Sequence, residues 1–169
     1  MEDDWEKFLA VPDNLRDKAI AYILLYGRCR VGGLLSLRVE DFDKNKETIT
    51  VHEKYGEEHT RKINPGTVKL LSEYIKEFKL KKDDLFVDLS RRRVEQLVKG
   101  WAKEAGLSYW KEVTPHALRR GMGRSFYYKT GKDIGKTRIL LGHKSVAATI
   151  HYLGVSLEEV EEDYGDFYK

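Results

Sequence analysis

A mainly α-helical fold with one small antiparallel β-hairpin (α+β) is what this sequence predicts, on three observations. Apolar residues recur at helical spacing along most of the chain. One stretch only, residues 48–51, alternates with β-branched residues and leads into a Gly-containing turn. No repeat, low-complexity tract or long linker interrupts the 169 residues, a length that suits one domain with a substantial core.

Taken in order, residues 14–27 place Ala19, Ile20, Ile23, Leu24 and Leu25 at helical spacing and stop at Gly27. "VGGLLSL" reads as a second short helix. A strand over residues 48–51, a turn near 55–58 and a second strand around 60–63 form the hairpin, which Pro65-Gly66 ends. From residue 67, Leu70, Leu71, Tyr74, Ile75 and Phe78 make a core-facing helical stripe. "KLKKDD" is a loop. "LSRRRVEQLVKGWAKEAG" is a helix that turns Val94, Leu97, Val98 and Trp101 inward and halts at Gly106. A helix over residues 115–130 follows, then short helices in "DIGKTRILLG" and "KSVAATIHYLG". An acidic tail helix occupies 156–169, with Leu157, Val160 and Tyr164 on one apolar stripe. That stripe predicts that residues 156–164 pack back on their own domain or into a neighbour. Cys29 reads as a small core residue, and Trp101 and Trp110 as packing.

The composition excludes several classes. No apolar run approaches a membrane span, and "MEDDWEKF" is acidic where a signal peptide is basic and then apolar. A cytoplasmic protein is expected, and the lone Cys29 excludes an internal disulfide and a cysteine-based zinc cage. One Gln and three Asn among abundant Lys and Glu lean toward a heat-adapted source. The net charge of +3 hides an asymmetry: residues 1–13 carry −4 and residues 156–169 carry −5, so residues 14–155 carry +12. A basic body between acidic ends suits a polyanionic partner, although a solvated basic surface accounts for the charge equally.

"VTPHALRRG" puts cations at the wrong end of a helix. Thr114 and Pro115 read as N-cap and first helical position, so His116 and Arg119 share a face of the opening turns, where the helix end already carries partial positive charge. Such an end is a natural phosphate site; the plainer reading points Arg119 and Arg120 into solvent. Other chemistry-bearing residues also sit at ends and turns: Arg30 at a helix junction, Lys54 at the hairpin tip, His143 after Gly142, and Tyr152 at a helix end just before Gly154.

In this order, Arg … Lys … His-x-x-Arg … Gly-His … Tyr, the set resembles the catalytic domain of the tyrosine recombinases, the phage-integrase and Xer family. "GRCRVGGLLSLRVEDFD" is similar to that family's first-arginine box and gives Arg30 its role. Lys54 lies 24 residues later on a hairpin, in the place of the family's lysine. "TPHALRR" resembles the His-x-x-Arg box, and "LLGHKSVAATIHY" the Leu-Gly-His box, with Tyr152 nine residues after His143 in the nucleophile's place. Two features depart from the pattern. Gly33 stands where the family usually has an acid that helps hold the arginine, so Arg30 must be held some other way; and the stretch from Arg119 to His143 is about one residue longer than usual. The resemblance covers nearly the whole chain and leaves out the family's N-terminal DNA-clamping domain, so residues 1–169 are expected to be a single catalytic domain, either a natural single-domain member or, the favoured reading, the catalytic half of a longer protein.

The resemblance implies metal-free and cofactor-free cleavage of double-stranded DNA by Tyr152, through a 3′-phosphotyrosine and a free 5′-hydroxyl. A phenol, with an ordinary pKa of about 10, is also a fair leaving group, so the bond is reversible. Arg30 and Arg119 would hold the non-bridging oxygens, Lys54 protonate the departing oxygen, His116 act as acid and base, and His143 donate to the phosphate. Arg28, Lys62, Arg91, Arg92, Arg93 and Arg120 are candidate DNA-backbone contacts, whereas His52, His59 and His151 read as non-catalytic. Implied partners are DNA and other copies of the chain, as a tetramer on paired sites and a monomer or weak oligomer without DNA, with a nucleoid-associated location and no membrane. Two alternatives share the fold: a type IB topoisomerase, and a non-catalytic DNA-binding module, which could lose Tyr152.

Overall fold

The computed structural model describes the backbone of residues 2–52 and 56–167, and side chains within 4–52 and 56–163. It is mainly helical with a small antiparallel sheet, in two compact units: Met1–Met122 and Gly123–Lys169.

The first unit opens on α1 (Glu2–Ala10), then α2 (Leu15–Tyr26), capped by Asn14, whose side chain accepts from the Asp17 amide. Ala19, Ile20, Ala21, Ile23, Leu24 and Leu25 are all fully buried, so α2 is apolar around its circumference and runs through the core. α3 (Val31–Ser36) packs against the sheet formed by β1 (Phe42–Asp43), β2 (Thr48–His52) and β3 (Glu58–Lys62), in the order β1-β2-β3. Register pairs Ile49 with Arg61 and Val51 with His59, which puts each pair on one face. Ile49 and Val51 are buried, while Thr50 and Thr60 share a hydroxyl hydrogen bond of 3.1 Å on the other face.

Two boundaries differ from the sequence reading. Pro65 does not merely end the hairpin; it is the first residue of α4 (Pro65–Glu77), with Asn64 as N-cap accepting from Thr67 N at 2.7 Å. The strand β1 is two residues long, too short to leave a pattern, and exists through its pairing with β2. In α4, Leu71 and Tyr74 are buried, but Phe78, at the helix end, is 53% exposed. α5 (Arg91–Glu104) buries Val94, Val98 and Trp101, and Leu97 is half-buried. α6 (Pro115–Lys129) starts on the Thr114 cap, which accepts from Ala117 N at 3.1 Å.

The second unit holds the end of α6 and the helices α7 (Ile134–Leu141), α8 (Val146–Leu153) and α9 (Leu157–Phe167). Its small core is Tyr127, Leu141 and Leu153, with Ile134, Tyr152 and Val155 packed on it. Gly142 and Gly154 end α7 and α8 in the left-handed region (φ 67° each), where a side chain is strained. α9 is docked on its own unit by its acidic side, not by its apolar stripe. Glu159 accepts from Tyr128 Oη at 3.0 Å and pairs with Arg124 at 3.6 Å and Lys132 at 3.9 Å, and Lys132 also pairs with Asp163. Leu157 and Val160 stay 75% and 52% exposed; the Tyr164 side chain lies outside the described residues. The basic residues at 124 and 132 face α9 and select its charged side. Among the described residues no helix is long and apolar enough to cross a membrane.

Candidate active site

The first unit gathers cations around the start of α6. His116 and Arg119 lie in its opening turns, and Arg119 is only 2% exposed while the adjacent Arg120 points outward. Arg30 is exposed, at the N-cap position of α3, where Arg30 O accepts from Leu34 N at 3.1 Å. Burial holds His116 below its ordinary pKa, and the nearby charges of Arg120, Arg119 and Arg30 push the same way. Arg28 is brought down to about 10, by burial first and then by Arg61 and Arg119. Positive charges that act on one another in this way favour an anion at the start of α6.

Among the candidate DNA contacts, Arg91, Arg92 and Arg93 are exposed on the first turn of α5, and Lys62 and Arg120 are exposed as well. Arg28 instead turns inward: Nη1 donates to Tyr26 O at 2.9 Å and Nη2 to Lys62 O at 3.2 Å. Lys54 lies outside the described residues. His52 is committed within the fold, to Asp41 at 2.8 Å and Glu58 at 3.1 Å, and its pKa is raised, chiefly by the Asp41 hydrogen bond.

The second unit brings His143 and Tyr152 together. Left-handed Gly142 stops α7 and Ser145 caps α8, so His143 sits in the short connection between them. Its ring meets the Tyr152 ring edge-on, with centroids 4.8 Å apart at 82°. His143 Nδ1 lies 3.1 Å from Thr149 Oγ1, and the buried Thr149 hydroxyl itself donates to Ser145 O at 3.1 Å. The Thr149 hydroxyl thereby ties the His143 ring to the cap of α8. The last turn of α8, which carries Tyr152, is held by Arg124, whose Nη1 donates to Leu153 O at 2.7 Å. His151 is exposed.

Sequence reasoning did not single out Thr149, Arg124 or Arg61. The signal for Thr149 was present, since a threonine six residues after His143 reaches back across one short helix cap.

The model of the phage integrase family matches residues 1–159. Tyrosine recombinase XerA of Pyrococcus horikoshii is 33% identical over 172 residues, covering 95% of this chain and 58% of that protein. Tyrosine recombinase XerD of Listeria monocytogenes is 28% identical over 183 residues, covering 98% of the chain and 61% of the relative. The chain thus spans about three-fifths of the length of these relatives. Among solved structures, a XerA recombinase superposes with a TM-score of 0.80 at 28% identity, over all of this chain and 64% of that one. XerH bound to a palindromic difH substrate, after cleavage, shares the fold with a TM-score of 0.83 at 21% identity, over 99% of this chain and 51% of that one. With nearly the whole chain matched, the chain belongs to the phage integrase family.

Proposed function

We propose that the chain cleaves and rejoins duplex DNA in site-specific recombination, with Tyr152 as nucleophile. The observation that carries this reading is the cation cluster at the start of α6: a buried Arg119 beside a His116 that burial, with Arg120, Arg119 and Arg30, pushes below its ordinary pKa. Such a cluster is relieved by a phosphodiester. Tyr152 Oη attacks the phosphorus, the P–O5′ bond breaks, and a 3′-phosphotyrosine and a 5′-hydroxyl result. The phenol's proton passes to neutral His116, and Lys54 supplies the proton for the departing 5′ oxygen. Arg30 and Arg119 hold the non-bridging oxygens as planar, permanently charged forks, and His143 donates a hydrogen bond to the phosphate. These fixed cations supply the charge stabilisation, so no metal enters the scheme and chelators leave the rate unchanged. The relatives' names, and XerH with its difH substrate, support DNA as the partner. A nicked suicide duplex tests the reading directly: the chain becomes covalently attached to DNA and migrates as an adduct on a denaturing gel. Absence of any adduct from the wild-type chain would sink the reading.

The depressed His116 sets a pH dependence. Its base form persists below the ordinary histidine value of about 6.5, so adduct formation holds its plateau through that pH and declines only below it. The fold follows the same sign. The unfolded chain takes up the proton first, so His116's contribution to stability is full above about 6.5 and is lost as pH falls through the depressed value. A single-turnover rate profile from pH 5 to 8 checks the first statement; a decline centred at or above 6.5 contradicts it.

Assembly on paired sites as a tetramer completes the proposal, with α9 alternating between its own unit and a neighbouring protomer. Exposed Leu157 and Val160 support it, because the ion pairs that now hold α9 are solvent-screened and individually weak. Deleting residues 156–169 weakens assembly on DNA in sedimentation more than it weakens single-site cleavage. A truncated chain that assembles and exchanges strands normally reduces the tail to a solubilising end.

A further inference from the structure

Arg30 is delivered by a very short connection. α2 closes at Gly27, where the chain runs so near its neighbours that a Cβ would meet Ile23 O at 2.4 Å and Ile49 Cδ1 at 2.7 Å. Arg28 then adopts φ 50°, a left-handed conformation that strains a non-glycine residue. Cys29 is buried, its thiol 3.6 Å from Ile23 O, and Arg30 follows at the head of α3. A turn this tight, packed on the core, directs backbone carbonyls inward, and a buried carbonyl left unsatisfied is destabilising.

One side chain answers two of those carbonyls. Arg61, on β3, is 5% exposed and shares the buried face of the sheet with its register partner Ile49. Its Nη1 donates to Gly27 O at 3.1 Å and to Arg28 O at 2.6 Å. Arg28 returns the link, donating from Nη2 to Lys62 O, also on β3. The loop and the strand are therefore laced in both directions, over more than thirty residues of sequence. An acid at position 33 has no room to do this work: a Cβ at Gly33 would lie 2.5 Å from Val51 Cγ1.

We infer that Arg61 is a positioning residue for the DNA-cleavage step: it holds the Gly27–Arg28 backbone in the conformation that aims Arg30 at the scissile phosphate. The inference rests on the proposed role of Arg30. Arg61 does its part through backbone carbonyls and does not itself touch the phosphate. A guanidinium suits the task because its fixed, delocalised donors bridge two acceptors and keep their charge when buried.

The test is a double-mutant cycle on the 169-residue chain, read as the single-turnover rate of adduct formation at saturating nicked duplex, with duplex affinity and melting temperature measured alongside. Arg61→Met slows adduct formation about tenfold to a hundredfold, the scale of a misplaced reacting geometry. Duplex affinity changes less than about threefold, because the hydrogen bonds to these carbonyls are internal and few phosphate contacts are disturbed. In an Arg30→Ala background the same substitution slows the reaction by less than about twofold, because the group it positions is already gone. Arg61→Lys keeps a buried cation and falls between Met and wild type; it carries the cycle if the Met variant does not fold. A variant chain that cleaves within about twofold of wild type, or an Arg61 effect that is undiminished in Arg30→Ala, overturns the inference. Wild-type adduct formation through Tyr152 is scored in the same gels, so failure of the cleavage reading is separable from failure of this one.

Discussion

Tyr152→Phe abolishes covalent attachment to DNA while leaving duplex binding and the fold nearly unchanged. The substitution removes one hydroxyl and keeps the ring. The edge-on contact with His143 at 4.8 Å and the packing on Tyr127, Leu141 and Leu153 are therefore retained. The hydroxyl is the atom that attacks phosphorus, and phenylalanine has nothing to put in its place. The loss is thus in the bond-forming step alone. Denaturing gels of suicide-duplex reactions report the adduct, and a parallel native binding assay reports affinity. Residual adduct in the Phe variant assigns the nucleophile to another residue.

Arg30→Ala and Arg119→Ala each lower the cleavage rate by about a hundredfold or more, the scale of removing one preorganised stabiliser of transition-state charge. The two differ in their side effects because their surroundings differ. Arg30 is exposed, so its loss leaves the melting temperature near wild type. Arg119 is 2% exposed, so truncation also leaves a cavity and lowers stability. Each substitution removes one of the charges that depress His116. The His116 pKa therefore rises toward its ordinary value, and the acid limb of the pH–rate profile moves to higher pH. Arg119→Lys does not restore the rate, because a point charge cannot hold two oxygens in a plane. Rates within about tenfold of wild type for the alanine variants remove these arginines from the transition state.

Most of the candidate site is legible in the sequence because its residues sit beside short-range signals. Thr114 and Pro115 announce the start of α6 and so locate His116 and Arg119. Gly142 and Gly154 announce the ends of α7 and α8, bracketing His143 and Tyr152. Caps and left-handed glycines act over three or four residues, which is the range a single sequence displays. The same locality explains one misreading. Pro65-Gly66 reads as a stop after the hairpin, yet Asn64 caps a helix there, and proline serves either end of that boundary.

What the sequence by itself determined is the inventory and order of chemical groups, the helical class, and the placement of those groups at element ends. Only the tertiary structure decided which cations are inside. Arg119 and Arg120 are neighbours in one helix, and the packing around the helix buries the first and exposes the second. Arg28 looks like a DNA contact until β3 lies alongside it and takes its guanidinium. Arg61 looks like one more hairpin cation until register sets it opposite Ile49 and within reach of two carbonyls more than thirty residues away. The apolar stripe of α9 predicts docking by that side, but the basic residues facing the helix select its acidic side. The physical reason is common to these cases. A long cationic side chain has no fixed partner along the chain, and its environment is set by whichever carbonyl, carboxylate or apolar face the fold brings within hydrogen-bond distance.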